Sequence, residues 1–244
     1  MEDVNLIKPG EIAFTLDLTA AQLKIVHTAL KSLYDDLGHE ENDVEQVVAS
    51  VLAKLDVAAK DFHTTTATFE FDTIQTDPVP DKDVMTGTAY YDRKGDRFQM
   101  AAHISGHNGR PAAKAYIFSG GVLRESDTGK ESDARTYTQA GKYESYLMLG
   151  FGASGRDLAD KWTITYLGSE MIGGIKTDKL ELVAKDPEVR KNIPTVTIWL
   201  DTARAVSLKQ VFDEGEGQSR ICLYTNIRVN QPLPKDAFSF DSAK

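Results

Sequence analysis

Two absences bound this chain before any residue is singled out. It holds a single cysteine, Cys222, so no intramolecular disulfide can form and a disulfide-stapled secreted scaffold is excluded. No apolar run approaches the roughly 18 residues that a membrane-spanning helix needs. Residues 1–10 carry Glu2, Asp3 and Lys8 without an apolar stretch, so no secretory signal is read there. Lys and Arg number 28 against 37 Asp and Glu, a formal net charge of −9. A broad nucleic-acid footprint needs a basic face, so nucleic acid is not expected as a partner.

Catalytic signatures are equally thin. No H-E-x-x-H and no G-x-S-x-G occurs. Of five histidines, His103 and His107 would share one face of a strand, but two ligands fall short of a zinc set. No metal, cofactor or assignable acid–base pair is expected, and the chain does not read as an enzyme. Gly150, Gly152 and Gly155 match G-x-G-x-x-G, yet the dinucleotide motif needs a strand before it and a parallel βαβ unit around it. The stretch before it, Tyr146 to Leu149, is short and mixed; these glycines read instead as a hinge.

What is present divides by period. From Thr19 to about Phe62 the apolar spacing is helical, and from Thr64 onward it is mostly alternating. Leu23, Val26, Leu30, Leu33 and Leu37 stripe a first helix, with Thr19 as N-cap and Gly38 as terminator. A second helix from Asn42 carries Val44, Val48, Val51 and Leu55. The two predict a helical hairpin joined by a short acidic loop.

Beyond it run about ten strands separated by turn signals such as Asp92 to Asp96, His107 to Arg110 and Ser119 to Gly121. No helical pattern is long enough for βαβ crossovers, so the sheet should be antiparallel. A loop-and-helix interruption falls between Ser126 and Lys161. One face of the sheet collects large apolar residues: Phe69, Phe71, Phe98, Met100 and Ile104 in the first half, Trp162, Ile164, Leu180 and Leu182 after the interruption, and Ile198, Leu200, Leu208, Ile221 and Leu223 toward the end. All are expected to point inward. Periodicity alone favours a packed core for such a face over a ligand cavity, without separating the two.

A resemblance bears on that choice. Phe69-Glu70-Phe71-Asp72, Gly87 to Arg93, Tyr116 to Gly121, Thr177 to Leu182, Ile198 to Asp201, Lys209 to Phe212 and Tyr224 to Ile227, with Asn230 and Phe238, follow in an order and spacing that resembles the LolA-like family of periplasmic lipoprotein carriers. The resemblance covers residues 51–240 and leaves 1–40 unmatched. It implies an α+β, mainly antiparallel half-open β-barrel with a helical lid around 126–161, so that 42–244 form the barrel domain and 1–41 a separate helical segment. It further implies that the inward face binds acyl chains of lipoproteins or lipids, that Gly150, Gly152 and Gly155 are lid hinges, and that Arg93 ties barrel to lid, although the K-R-P context of the family is replaced here by Arg93-Lys94-Gly95.

The function expected on this basis is a carrier moving acyl chains from an inner-membrane donor to an outer-membrane acceptor. The location implied is periplasmic, although the sequence as written would stay in the cytoplasm. A lipid or envelope-stress sensor on the same fold, and an interaction protein with a filled barrel, are the alternatives.

Overall fold

The computed structural model describes residues 18–95 and 97–241, without the side chains of residues 30–44, 142, 143, 145 and 192. The chain divides into two compact units, residues 1–45 and 46–244. Helix α1 is assigned over Ala20–Ala58, with helical backbone through Gly38. The expected hairpin with a loop at 38–41 is therefore corrected to one helix. A glycine inside a helix costs only about 1 kcal/mol and no proline stands nearby to break it. At its start Thr19 caps as expected: the Gln22 amide donates to Thr19 Oγ1 at 3.3 Å, and the Thr19 amide donates to Gln22 Oε1 at 2.9 Å.

The second unit is built on strands. β1 (Thr64–Gln75), β2 (Asp81–Lys94), β3 (Arg97–His107), β4 (Arg110–Ser119) and β5 (Val122–Ser126) form successive hairpins. The interruption follows, with β6 (Arg135–Tyr137), α2 (Glu144–Leu147) and α3 (Gly155–Lys161). Then come β7 (Trp162–Ile172), β8 (Ile175–Ala184), α4 (Pro187–Asn192), β9 (Thr195–Asp201), β10 (Val206–Gly215) and β11 (Gln218–Val229). All pair antiparallel in one eleven-stranded sheet, ordered β6-β5-β4-β3-β2-β1-β11-β10-β9-β8-β7. Among the described residues the end strands β6 and β7 are not paired with each other, so the sheet is not closed.

Turn chemistry accounts for the hairpins. The left-handed residues Asn108 (φ 49°) and Gly109 (φ 74°) close β3–β4, and Gly173 (φ 57°) and Gly174 (φ 81°) close β7–β8. Both pairs fit the two-residue turn in which both central residues have positive φ. The first strand meets the last through Phe69↔Tyr224 and Phe71↔Cys222, a long-range pairing that joins the two halves of the sheet.

The inner face divides in two. Over β7, β8 and β9 it is packed solid: Leu180, Leu182, Val196 and Ile198 are fully buried against Val51 and Leu55 of α1, Leu158 of α3 and Val189 of α4. Over β1–β4, β10 and β11 a second cluster contains Phe69, Phe98, Phe118, Phe151 and Leu208, and this half is incompletely filled. Helix α4 had no counterpart in the sequence reading, although Asp186 as N-cap and Pro187 in the first turn mark its start.

Candidate ligand cavity

Between the second half of the inner face and the interrupting segment lies a cavity of ≈ 540 Å³, within the roughly 300–1,000 Å³ common for small-molecule sites. Its walls come from β1 (Phe69, Phe71, Thr73), β2 (Met85, Ala89, Tyr91), β3 (Met100, Ala102, Ile104), β4 (Tyr116), β10 (Gln210, Phe212) and β11 (Arg220, Cys222, Tyr224). Leu123 of β5 and Tyr146, Leu147 and Leu149 of the interruption complete it. Because successive side chains alternate faces, residues two apart on each strand recur in this lining. Six neighbouring strands facing one space require the sheet to curve around it.

Of the residues expected inward, Phe69, Phe71, Met100 and Ile104 border the cavity. Phe98 and Leu208 lie inward but are packed into the surrounding cluster. Trp162, Leu180, Leu182, Ile198 and Leu200 are core beneath α1, with Ile164 packed against them. They do not border this cavity, because helices pack over that half of the face. Ile221 and Leu223 are corrected: they alternate with Arg220, Cys222 and Tyr224, which line the cavity, and Leu223 is 38% exposed. Choosing the more apolar residues put β11 one position out of phase, and a one-residue slip exchanges the faces of a strand.

Behind the deep wall of the cavity, Phe151 of the interrupting segment packs against Tyr91 and Tyr224, which line it. Phe151 is fully buried, stacked on Tyr91 at 4.0 Å and 8° and edge-on to Tyr224 at 4.8 Å. Gln210 donates through Nε2 to the Leu149 carbonyl at 2.6 Å, and Tyr224 donates to Gln210 Oε1 at 3.4 Å. Burial pushes the Cys222 thiol up to about 12, and raises the Tyr91 and Tyr224 hydroxyls as well. These groups are neutral at physiological pH, so the deep wall carries no charge.

Arg93, at the end of β2, reaches the interruption. It donates through Nη1 to the Gly152 carbonyl and pairs through Nη2 with Asp157 at 3.3 Å. Asp157 also completes a capping box with Ser154 at the start of α3. Burial opposes its ionisation, but hydrogen bonds from Ser154 and the Arg93 charge outweigh it and hold the carboxyl below its ordinary value.

The three glycines sit where backbones touch. A side chain on Gly150 would strike Ser207, on Gly152 the Phe62 ring, and on Gly155 the Leu52 carbonyl. Ser207 donates its amide to the Gly150 carbonyl at 2.6 Å, and Gly152 donates to the Ala205 carbonyl at 2.9 Å. They pin the segment against the β9–β10 turn. The nucleotide alternative has no support in this geometry, because α2 rather than a strand precedes the glycines. His107 binds Asp83 at 2.6 Å and His103 the Ala237 carbonyl at 2.9 Å; among the described residues no cluster of three or more metal-type ligands occurs.

Known structures give the same architecture. The crystal structure of MucB superposes with a TM-score of 0.51 at 13% identity, over 81% of this chain and 64% of that one. The fold is LolA-like. A LolA superfamily protein from Nitrosomonas europaea (TM-score 0.38, 15% identity, 80% of this chain and 98% of that one) and LprF from Mycobacterium bovis (0.44, 14%, 79% and 98%) are also among the matches. No family model matches the sequence, and no curated protein matches it. The present chain thus spans about two thirds of the MucB chain and shares the LolA-like fold at low identity. Among the described residues no helix is long and apolar enough to cross a membrane.

Proposed function

We propose that the protein carries acyl chains of lipoproteins or lipids in the ≈ 540 Å³ cavity, shielding them from water between an inner-membrane donor and an outer-membrane acceptor. The observation that carries this reading is the hollow half of the inner face, walled by Phe69, Phe71, Met85, Met100, Ile104 and Phe212 and roofed by Leu147 and Leu149. Burying about ten methylenes gains about 8 kcal/mol at about 0.8 each, a micromolar dissociation constant before ordering costs. Contacts of this kind are non-directional, so the chains can slide out as they slid in. The interruption acts as the lid. With residues 150–157 pinned, the part that moves is α2 and the chain before it, and Gly150 and Gly152 mark the boundary of that motion.

Such a carrier works in the periplasm. The test is transfer: donor vesicles holding a fluorescent diacyl lipid are mixed with acceptor vesicles, with and without the protein. Faster transfer supports carriage. Uptake from the donor without delivery would replace the carrier with a lipid sensor, and no uptake would leave only an interaction protein.

A further inference from the structure

We propose that Arg220, with Thr73 beside it, seats an anionic head group at the cavity mouth, so that the site selects acyl ligands ending in a carboxylate or a phosphate. This rests on the carrier reading and narrows its ligand.

The cavity is electrostatically lopsided. Among the described residues Arg220 is the one formally charged member of its wall, and its side chain is 46% exposed. Along β11 the inward residues run Arg220, Cys222, Tyr224, so four residues at about 3.4 Å each set the Arg220 backbone about 14 Å along the strand from that of Tyr224, at the aromatic end of the cavity. At that end the polar atoms already serve one another and the covering segment, through Tyr224, Gln210 and the Leu149 carbonyl. A chain laid along the cavity therefore meets only neutral groups at its tail and a cation at its head.

The mouth is built for an acceptor. Thr73 stands directly opposite Arg220 in the β1–β11 register and lines the same cavity, adding a hydroxyl donor. A guanidinium offers five donors in a planar fork that matches carboxylate and phosphate oxygens. Glu214 takes one edge through Arg220 Nη2 at 3.0 Å, which holds the fork at the rim and neutralises it when the cavity is empty. An incoming anionic head competes with Glu214 for the same cation. The two residues thus act in opposite directions on one ligand.

The experiment uses the full chain and displacement of the neutral probe N-phenyl-1-naphthylamine by three ligands of equal chain length: palmitate, monohexadecyl phosphate and methyl palmitate. The expected result is that the anionic ligands displace the probe at about ten-fold lower concentration than the ester, in line with a charge-assisted hydrogen bond at a half-exposed site. Arg220→Gln brings the ratio between ester and anionic displacement to about one; Glu214→Gln enlarges that ratio. The better of the two anionic ligands identifies carboxylate or phosphate as the natural head. Equal displacement by all three ligands, unaltered in both variants, overturns the head-group assignment and leaves acyl carriage standing. No probe uptake at all overturns both. If Arg220→Gln fails to fold, a wild-type preference unmoved by Glu214→Gln suffices to reject the proposal.

Discussion

Replacing Phe151 by alanine removes the ring that backs the deep wall of the cavity, behind Tyr91 and Tyr224. The side chain is fully buried, lies 4.0 Å from Tyr91 in a parallel stack and 4.8 Å from Tyr224 edge-on, and belongs to the cluster that joins β1–β4 to β10 and β11. Truncating a buried phenylalanine costs about 3–5 kcal/mol, and each lost ring contact contributes about 0.5–1.5 kcal/mol of that total. Relaxation by Tyr91 and Tyr224 into the gap is limited, because the Tyr224 hydroxyl is bonded to Gln210. With a urea m-value of about 2.5 kcal/mol/M for a domain of this size, the unfolding midpoint followed by circular dichroism falls by about 1–2 M. The vacated space adjoins a wall shared with the cavity, so binding of N-phenyl-1-naphthylamine by the folded variant is retained. A midpoint shift below about 0.3 M would refute the assignment of Phe151 as the packed support of that wall.

Four further perturbations follow from the same geometry. Gly152→Ala places a methyl against the Phe62 ring at a φ of 71°; it should cost about 2–3 kcal/mol by the two mechanisms together, read as a lower melting temperature. Arg93→Ala releases the tie to Gly152 and Asp157, so probe uptake measured by stopped flow should quicken several-fold while stability falls by about 1 kcal/mol. Ala102→Phe fills the cavity from β3 and should abolish probe uptake with the far-ultraviolet spectrum unchanged. The alkaline limb of stability should also be steep. The Cys222 thiol, raised by burial from 9.0 to about 12, stays neutral in the folded state while the unfolded chain ionises. Its contribution is complete below pH 9 and is lost as the pH rises toward 12, and Cys222→Ala flattens that limb in a urea titration.

Much of this fold was legible from period and turn chemistry alone. Alternation in Thr64 to Ile104 and in Gly174 to Phe212, broken by glycine-bearing turns, predicts hairpins that the structure contains. What the alternation does not carry is the identity of the layer opposite each strand. Leu180 and Phe71 have the same pattern around them, yet one lies under α1 and the other borders hollow space, because only the tertiary path of 144–161 and α1 decides which half is filled. On β11 the signal was misleading: Ile221 and Leu223 outrank Cys222 and Arg220 in hydropathy, while the register to Phe69 and Phe71 turns Cys222 and Tyr224 inward. Tyr91, Gln210 and Phe212 could have been found by continuing the two-residue period from Ala89 and Leu208. The glycines of the interruption were visible as unusual, but close backbone approach and rotation leave the same mark in a sequence.

The central claim is that the inner face encloses space occupied by acyl chains, and native mass spectrometry tests it most directly. The protein is purified without detergent, its intact mass is measured, and the bound material is extracted and identified. The account predicts an added mass that resolves into acyl lipid and disappears in Ala102→Phe. A bare polypeptide mass that takes up no added fatty acyl ligand would contradict it.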